Sequence, residues 1–263
     1  MKKTILLFLA VLMLFSAVAC ASRNDSDYEY IKNKGKIIIG ITDFEPMDYK
    51  ENGEWTGFDA ELARLVFKKL GVEVEFQEIN WKTKEGELAG KTIDCIWNGL
   101  TWDSERAENM SMSDYYMINR QVIVVKNTDS DKYANSQSFD GTNIAAESGS
   151  AGEELISKAL NKAKLIEKDS QIDALTELVA GTVDAAVIDF TMANYLINKE
   201  GSNFSGLKIL DGIIDSQNEY YSIAFRRGSD ITEKVNTILS DLKKSGEIAD
   251  LAKKYGLENA LVK

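Results

Sequence analysis

The stretch Leu88-Ala89-Gly90-Lys91-Thr92-Ile93-Asp94-Cys95-Ile96 is echoed by Val179-Ala180-Gly181-Thr182-Val183-Asp184-Ala185-Ala186-Val187. In each, a helical run ends at Ala-Gly, a threonine follows, and an apolar strand carries an aspartate near its start. Two readings are open. One is chance, because αβ units resemble one another. The other is a pair of similar lobes built on the same unit. Open α/β sheets bind ligands beyond the ends of such strands, so the residues following Ile96 and Val187 become the place to look.

The rest of the chain alternates in the same way. Lys36 to Ile41 is a short apolar strand. Phe58 to Leu70 is helical: Phe58, Leu62, Leu65, Val66 and Leu70 share a face, Asp59 and Glu61 sit in the first turn, and Gly71 stops it. Val72, Val74 and Phe76 alternate with Glu73, Glu75 and Gln77, the pattern of a half-exposed strand. A short helix leads to the strand through Ile93. Further strands are expected at Gln121 to Lys126, Ile144 to Ala146, Val183 to Ile188 and Tyr220 to Arg226. Helices are expected at Gly152 to Lys164 and Gln171 to Val179, with two more closing the chain near Gly256. This is an α/β protein.

Composition removes several functions. With no histidine, Ser-His-Asp and Cys-His catalysis and histidine metal sites are excluded. A net charge of −11 argues against nucleic acid as a partner. Neither a metal nor a cofactor is expected. Lys2 and Lys3, the apolar run Ile5 to Phe15 and the small residues before Cys20 form an export signal, too short for a comfortable membrane span. The segment also resembles a bacterial lipoprotein signal in which Cys20 becomes the lipidated first residue, with Ala17 where leucine is usual; an ordinary signal with a chance cysteine is the alternative. Residues 20–30 are then a polar tether, and lipid is the only contact with the membrane. Cys95 is left as a buried free thiol.

The first strand end presents Trp97-Asn98-Gly99-Leu100-Thr101, with Arg106 five residues further on. A guanidinium offers two parallel donors to a carboxylate, and a hydroxyl adds another. The second strand end presents Asp189, a partner for an ammonium or simply a helix cap. Ser150 and Glu153 make a capping box whose free N–H groups also suit an anion. Facing one another, the two ends would grip both charges of an α-amino acid.

With these residues in view, the chain resembles the solute-binding proteins of polar amino-acid ABC importers, family 3, from about Lys36 to Gly256. The resemblance is carried by Gly40 to Met47, Thr56 to Ala63, Ile93 to Arg106, Asp114-Tyr115-Tyr116, Ser148 to Glu154, Ala180 to Asp189 and Tyr221 to Gly228. It implies a two-lobe, type II periplasmic-binding-protein-like fold that closes on ligand like a flytrap. Two segments cross between lobes near Tyr116 and Tyr221, so residues 31–116 with 222–263 form one lobe and 117–221 the other. It implies that Arg106, Thr101 and the Gly99 backbone clamp the ligand carboxylate with Ser150 and the Ala151 N–H. Asp189 takes the ammonium, and Phe44 and Trp81 wall the side chain.

The sequence departs from the family at Glu45, Met47, Trp97 and Asn98. If Glu45, Glu147 or Asp43 points inward, the ligand is basic; if these acids are solvated, Asn98 suits a polar neutral side chain. The expected function is capture of a polar or basic L-amino acid by a monomer outside the cytoplasm and its delivery to a membrane permease. A sensory binding protein is one alternative. A dehydratase-like enzyme on the same scaffold, with Glu45 or Glu147 as acid or base, is another.

Overall fold

A computed structural model describes residues 26–214 and 217–262. The chain folds into two α/β lobes, each built round a five-stranded sheet. The first sheet contains β1 (Lys36–Ile41), β4 (Glu73–Glu78), β5 (Cys95–Ile96), β6 (Met110–Met112) and β14 (Ala224–Arg226), in the order β4-β1-β5-β14-β6. A hairpin of β2 (Tyr49–Glu51) and β3 (Glu54–Thr56) lies outside it. The second sheet contains β8 (Gln121–Lys126), β9 (Asn143–Glu147), β10 (Lys164–Lys168), β11 (Ala185–Asp189) and β12 (Leu207–Leu210), in the order β10-β9-β11-β8-β12. In each sheet three parallel strands are followed by one that runs antiparallel, β14 in the first and β8 in the second.

The echoed units occupy the same place in both sheets. They end in the central strands β5 and β11, and their aspartates do the same work. Asp94 gives its N–H to the Ile38 carbonyl and accepts the Ile38 N–H on Oδ2. Asp184 gives its N–H to the Asn143 carbonyl and accepts the Asn143 N–H on Oδ2. A carboxylate at the start of each central strand thus completes the ladder where the backbone alone would leave a donor unpaired. Of the two readings of the repeat, the structure gives the pair of similar lobes.

Between the sheets, β7 (Met117–Asn119) and β13 (Glu219–Tyr221) form an antiparallel crossing ribbon. The single strand expected from Tyr220 to Arg226 is therefore two. Ser222 and Ile223 break it: the Ser222 N–H goes to the Leu100 carbonyl and the Ile223 N–H to the Ser113 hydroxyl. With those two donors satisfied off the ladder, the chain leaves the ribbon and enters the first sheet.

The helices are α1 (Asp27–Lys34), α2 (Phe58–Leu70), α3 (Lys84–Ala89), α4 (Ser104–Asn109), α5 (Ala151–Ala159), α6 (Gln171–Ala180), α7 (Phe190–Asn198), α8 (Ile231–Ser245) and α9 (Glu247–Lys254). On α2, Phe58, Leu62 and Val66 are fully buried, while Leu65 and Leu70 of the same expected face lie at its half-buried margin. Burial of side chains of this size contributes about 1.5–3 kcal/mol each.

Two expected boundaries move. The helix expected over 152–164 stops at Ala159, and Lys164–Lys168 instead pairs in parallel with β9 at the sheet edge. Its Lys-Leu-Ile-Glu-Lys sequence hides a strand because two of its charged side chains are solvated and only Leu165 and Ile166 turn inward. The tether expected to reach residue 30 ends earlier: the Ser26 hydroxyl caps α1, Asp27 pairs with Arg226, and Ile31 is fully buried. The export signal and Cys20 lie outside the described residues. Among the described residues, no helix is long and apolar enough to cross a membrane.

Candidate functional site

The ends of β1, β5, β9 and β11 converge on one cleft between the lobes, and the closed form leaves a cavity of only about 10 Å³ there. That is room for about one water molecule, so the lobes must part to admit anything larger. Thr42, Phe44, Trp81, Asn98, Gly99, Leu100, Thr101 and Arg106 line it from the first lobe. Glu147, Ser150, Ala151, Gln171 and Asp189 line it from the second. The lobes are closed over it. Arg106 Nη2 reaches Glu154 Oε1 at 2.7 Å, Lys84 Nζ reaches the Gly149 carbonyl at 2.9 Å, and Lys82 and Lys199 pair with Glu167 and Glu45.

Arg106 is held by its own short helix. Asp103 caps α4 through the Arg106 N–H, and its other oxygen lies against Nη1, which also donates to the Thr101 carbonyl. Arg106 is buried, so its guanidinium is strongly coupled to any carboxylate in the cleft. Gly99 allows the turn before it. With φ at 57° and the Phe44 ring pressed against it, a Cβ there would lie 2.4 Å from Phe44 Cε1.

The expected roles for several neighbours change. The Gly99 N–H donates to buried Asp59 at 2.8 Å, so it is already committed. The Asn98 amide lines the cleft but is also fully engaged: Oδ1 accepts from Thr42, and Nδ2 donates to Asp48 and the Thr42 carbonyl. It ties the ends of β1 and β5 together. Trp97 points the other way, into the core, where its ring meets Phe67 edge-on at 6.2 Å. In a strand with both faces covered, Asn98 takes the cleft side and Trp97 the opposite one.

At the second strand end, Ser150 caps α5 by accepting the Glu153 N–H, and the Glu153 carboxylate takes the Gly149 N–H. Among the described residues the Ala151 N–H has no partner within the chain. It is one of the orphan donors of a helix start, available to an anion. Asp189 is 5 % exposed and does not cap α7. Its Oδ1 accepts from Asn119, from Gln121 Nε2 at 3.0 Å and from the Tyr221 hydroxyl at 2.9 Å, and among the described residues its Oδ2 accepts only from Gln171. Burial raises its pKa, and these donors hold it back. One side of Oδ2 is left for a ligand cation.

Glu147, one of three acids whose direction the sequence left open, is 2 % exposed, lines the cleft, and has no hydrogen-bond partner for Oε1 among the described residues. Burial first, and the Asp189 charge second, push it up to about 8. Glu45 and Asp43 do not line the cleft. Glu45 pairs with Lys199 across the rim at 2.7 Å, and Asp43 is half-buried beside it.

Sequence reasoning missed Thr42, Leu100, Gln171, Gln121, Glu219 and the Tyr221 hydroxyl. Gln171 is the first residue of α6 and grips Asp189 twice, by amide nitrogen to carboxylate and amide oxygen to the Asp189 N–H. Nothing in a glutamine at a helix start announces that. The Arg106 partner Glu154 was likewise invisible, being one of several acids in the first turn of α5. Among the described residues no cluster of three or more His, Cys, Asp or Glu is arranged to hold a metal ion.

The chain is similar to several known proteins. The arginine-binding extracellular protein ArtP of Bacillus subtilis is 30% identical over 260 residues, covering 97% of this chain and 98% of that one. A Streptococcus pneumoniae ABC uptake transporter substrate-binding protein, solved with bound histidine, superposes with a TM-score of 0.82 at 29% identity, covering 91% of this chain and 99% of that one. A mutant of ArgBP from T. maritima superposes with a TM-score of 0.79 at 33% identity, covering 87% and 98%. The model of one family matches residues 37–258, nearly all of both lobes, and the chain accordingly belongs to the bacterial extracellular solute-binding proteins, family 3.

Proposed function

We propose that the chain captures a basic L-amino acid between its lobes, outside the cytoplasm, and delivers it unchanged to an ABC permease. The observation that carries the basic side chain is Glu147: a carboxyl buried in the cleft wall with Oε1 unpartnered. Burial therefore holds Glu147 in its protonated form at neutral pH, and a cation beside it would let it ionise. A basic side chain supplies that cation.

The charges balance in the same sense. The lining carries one cation, Arg106, and two acids, Glu147 and Asp189. A basic amino acid brings one carboxylate and two cations. In this reading Arg106, Thr101 and the Ala151 N–H at the α5 start hold the carboxylate, with Ser150 ordering that turn. Asp189 holds the ammonium, Glu147 the side-chain cation, and Phe44 and Trp81 its methylenes. Gly99 and Asn98 shape the floor. The named ligands of ArtP and of the pneumococcal protein, arginine and histidine, are of this class.

Closure then follows from ligand touching both lobes at once, which only the closed form permits. The proposed division is 31–116 with 222–263 against 117–221, working as a monomer and held to the membrane by lipid on Cys20.

A thermal-shift screen against the twenty amino acids tests this. Arginine, lysine or histidine should raise the melting temperature in a concentration-dependent way. A rise with neutral or acidic amino acids alone would remove the Glu147 role. No rise with any of them would remove amino-acid capture. Labelling with radioactive palmitate, lost in Cys20→Ala, checks the anchor.

A further inference from the structure

Glu219 lies on the crossing strand β13, outside the cleft lining, yet it touches the cleft's machinery on both sides. Its Oε2 accepts from the Thr101 hydroxyl of the first lobe at 3.3 Å and from Gln121 Nε2 of the second at 2.9 Å. The same Gln121 nitrogen donates to Asp189 Oδ1 at 3.0 Å. Backbone pairing fixes this arrangement. Thr101 forms a bridge with Tyr221, and the Trp102 N–H donates to the Tyr220 carbonyl, so the strand end and the crossing strand cannot slide apart.

The Thr101 hydroxyl has one proton to give. In the structure it gives that proton to Glu219. A ligand carboxylate seated at Arg106, as the reading above requires, asks for the same proton. While Glu219 is ionised, two carboxylates then face one hydroxyl, and each disfavours the other's charge. Once Glu219 takes a proton from solvent, its own O–H donates to Thr101 Oγ1. The Thr101 proton is then free to turn toward the ligand. One proton enters, none leaves, and every oxygen in the chain from Glu219 to the ligand has a donor.

We propose that Glu219 is a positioning residue that sets the direction of the Thr101 hydroxyl and thereby couples ligand capture to the uptake of one proton. The charged groups facing Glu219 fit such a role. Asp189 on β11 repels its charge through the shared Gln121, Arg106 on α4 attracts it, and the Tyr221 hydroxyl lies close by on its own strand. Burial and Asp189 together push Glu219 up to about 7 before any ligand arrives. A ligand carboxylate raises it further.

The test is calorimetry of L-arginine binding in buffers of different ionisation enthalpy, with wild type and Glu219→Gln side by side. If another of the twenty amino acids binds tighter, it replaces L-arginine as the probe. Near pH 8 wild type should take up more protons than the variant, by roughly 0.5–1 per ligand. The difference should shrink toward zero by about pH 5.5, where Glu219 already holds its proton. It should vanish with L-argininamide, which lacks the carboxylate.

Glu147 also exchanges a proton with a basic ligand, but does so equally in both proteins, so the difference isolates Glu219. Thr101→Val, which removes the hydroxyl, should abolish the extra uptake in the same way and stands in if Glu219→Gln does not fold. L-Arginine binding with equal proton uptake in wild type and both variants would overturn this proposal alone. Failure to bind any amino acid would overturn the parent reading, and this one with it.

Discussion

Arg106 Nη2 lies 2.7 Å from Glu154 Oε1, an ion pair between the first lobe and the first turn of α5 in the second. With the lobes closed, a protein carboxylate thus occupies one prong of the guanidinium fork. Asp103, its partner within α4, supports the other prong. A ligand carboxylate must share or displace these contacts, and it does so from inside the cleft, where the field is least screened.

Replacing Arg106 removes the cation on which the ligand carboxylate depends and leaves that carboxylate in a closed cleft. Arg106→Ala should weaken L-arginine binding by roughly 2–5 kcal/mol, the range for truncating one partner of a buried charge pair. Arg106→Lys keeps the charge but loses the planar fork and should fall between. Titration calorimetry reads both. An Arg106→Ala affinity within about twofold of wild type, some 0.4 kcal/mol, would place the carboxylate elsewhere.

Glu147 has opposite effects on stability and on binding. Its folded pKa is raised to about 8, so the native state holds a proton that the unfolded state releases above its ordinary range. Stability is therefore lost as pH rises from the unfolded value toward 8. Glu147→Gln keeps the shape without the charge. It should raise the stability of the unliganded protein at pH 7 by about 1–3 kcal/mol while weakening L-arginine roughly 10–100-fold. Melts and titrations on one preparation check the pair. A variant that loses neither arginine affinity nor preference for basic side chains would sink the assignment.

The lobes and their central strands were legible because periodicity and the Ala-Gly-Thr-Asp repeat are local signals. Arg106, Thr101 and Asp189 were legible because they follow strand ends at short spacing. The direction of Glu147 was not, since alternation along β9 gives it a face but not what covers that face. Which of Trp97 and Asn98 meets the cleft was not legible either: both lie in a buried stretch, and only the sheet's neighbours decide it. Gln171 and Glu219 come to the site through tertiary packing, and Glu154 reaches Arg106 through closure of the lobes. No spacing along the chain encodes a contact made only when two lobes meet.

At Gly149 the two lobes come close together. Its φ is 76°, and a Cβ built on it would lie 2.9 Å from Lys82 Cα on the opposite lobe. The strain of placing alanine in a left-handed conformation, about 1–2 kcal/mol, acts whether the cleft is open or shut. The clash with Lys82 acts only when it is shut. Gly149→Ala should therefore lose ligand affinity at least about tenfold, roughly 1.4 kcal/mol, beyond its modest loss of stability. Small-angle scattering should show a smaller ligand-induced compaction than in wild type. Full compaction with unchanged affinity would mean that the lobes close with room to spare.

Asp48 and Asp59 lie beneath the cleft floor, both fully buried, each with an Oδ1 that has no partner. Asp59 Oδ2 accepts the Gly99 N–H and the Tyr116 hydroxyl, each at 2.8 Å, and Asp48 Oδ2 accepts the Asn98 amide. Burial raises both carboxyls, and the charge of Asp59 raises Asp48 further. With Asp48 raised well above its ordinary range and Asp59 raised to about 7, the pair retains a proton at neutral pH. The sign follows from the raised values: the folded state keeps a proton that the unfolded state loses above about pH 4, so stability drains away as pH climbs toward neutrality and beyond. Asp48→Asn removes the more strongly raised carboxyl of the pair, and with it the mutual repulsion of the two charges. The drop in unfolding free energy between about pH 5 and pH 8 should then shrink by about 1–3 kcal/mol. Glu147 and Glu219 drain stability in the same direction, so a residual slope should persist in Asp48→Asn and flatten further when Glu147→Gln is added. Urea unfolding at the two pH values measures each step. An Asp48→Asn protein with the full wild-type slope would show that the buried pair does not hold the proton.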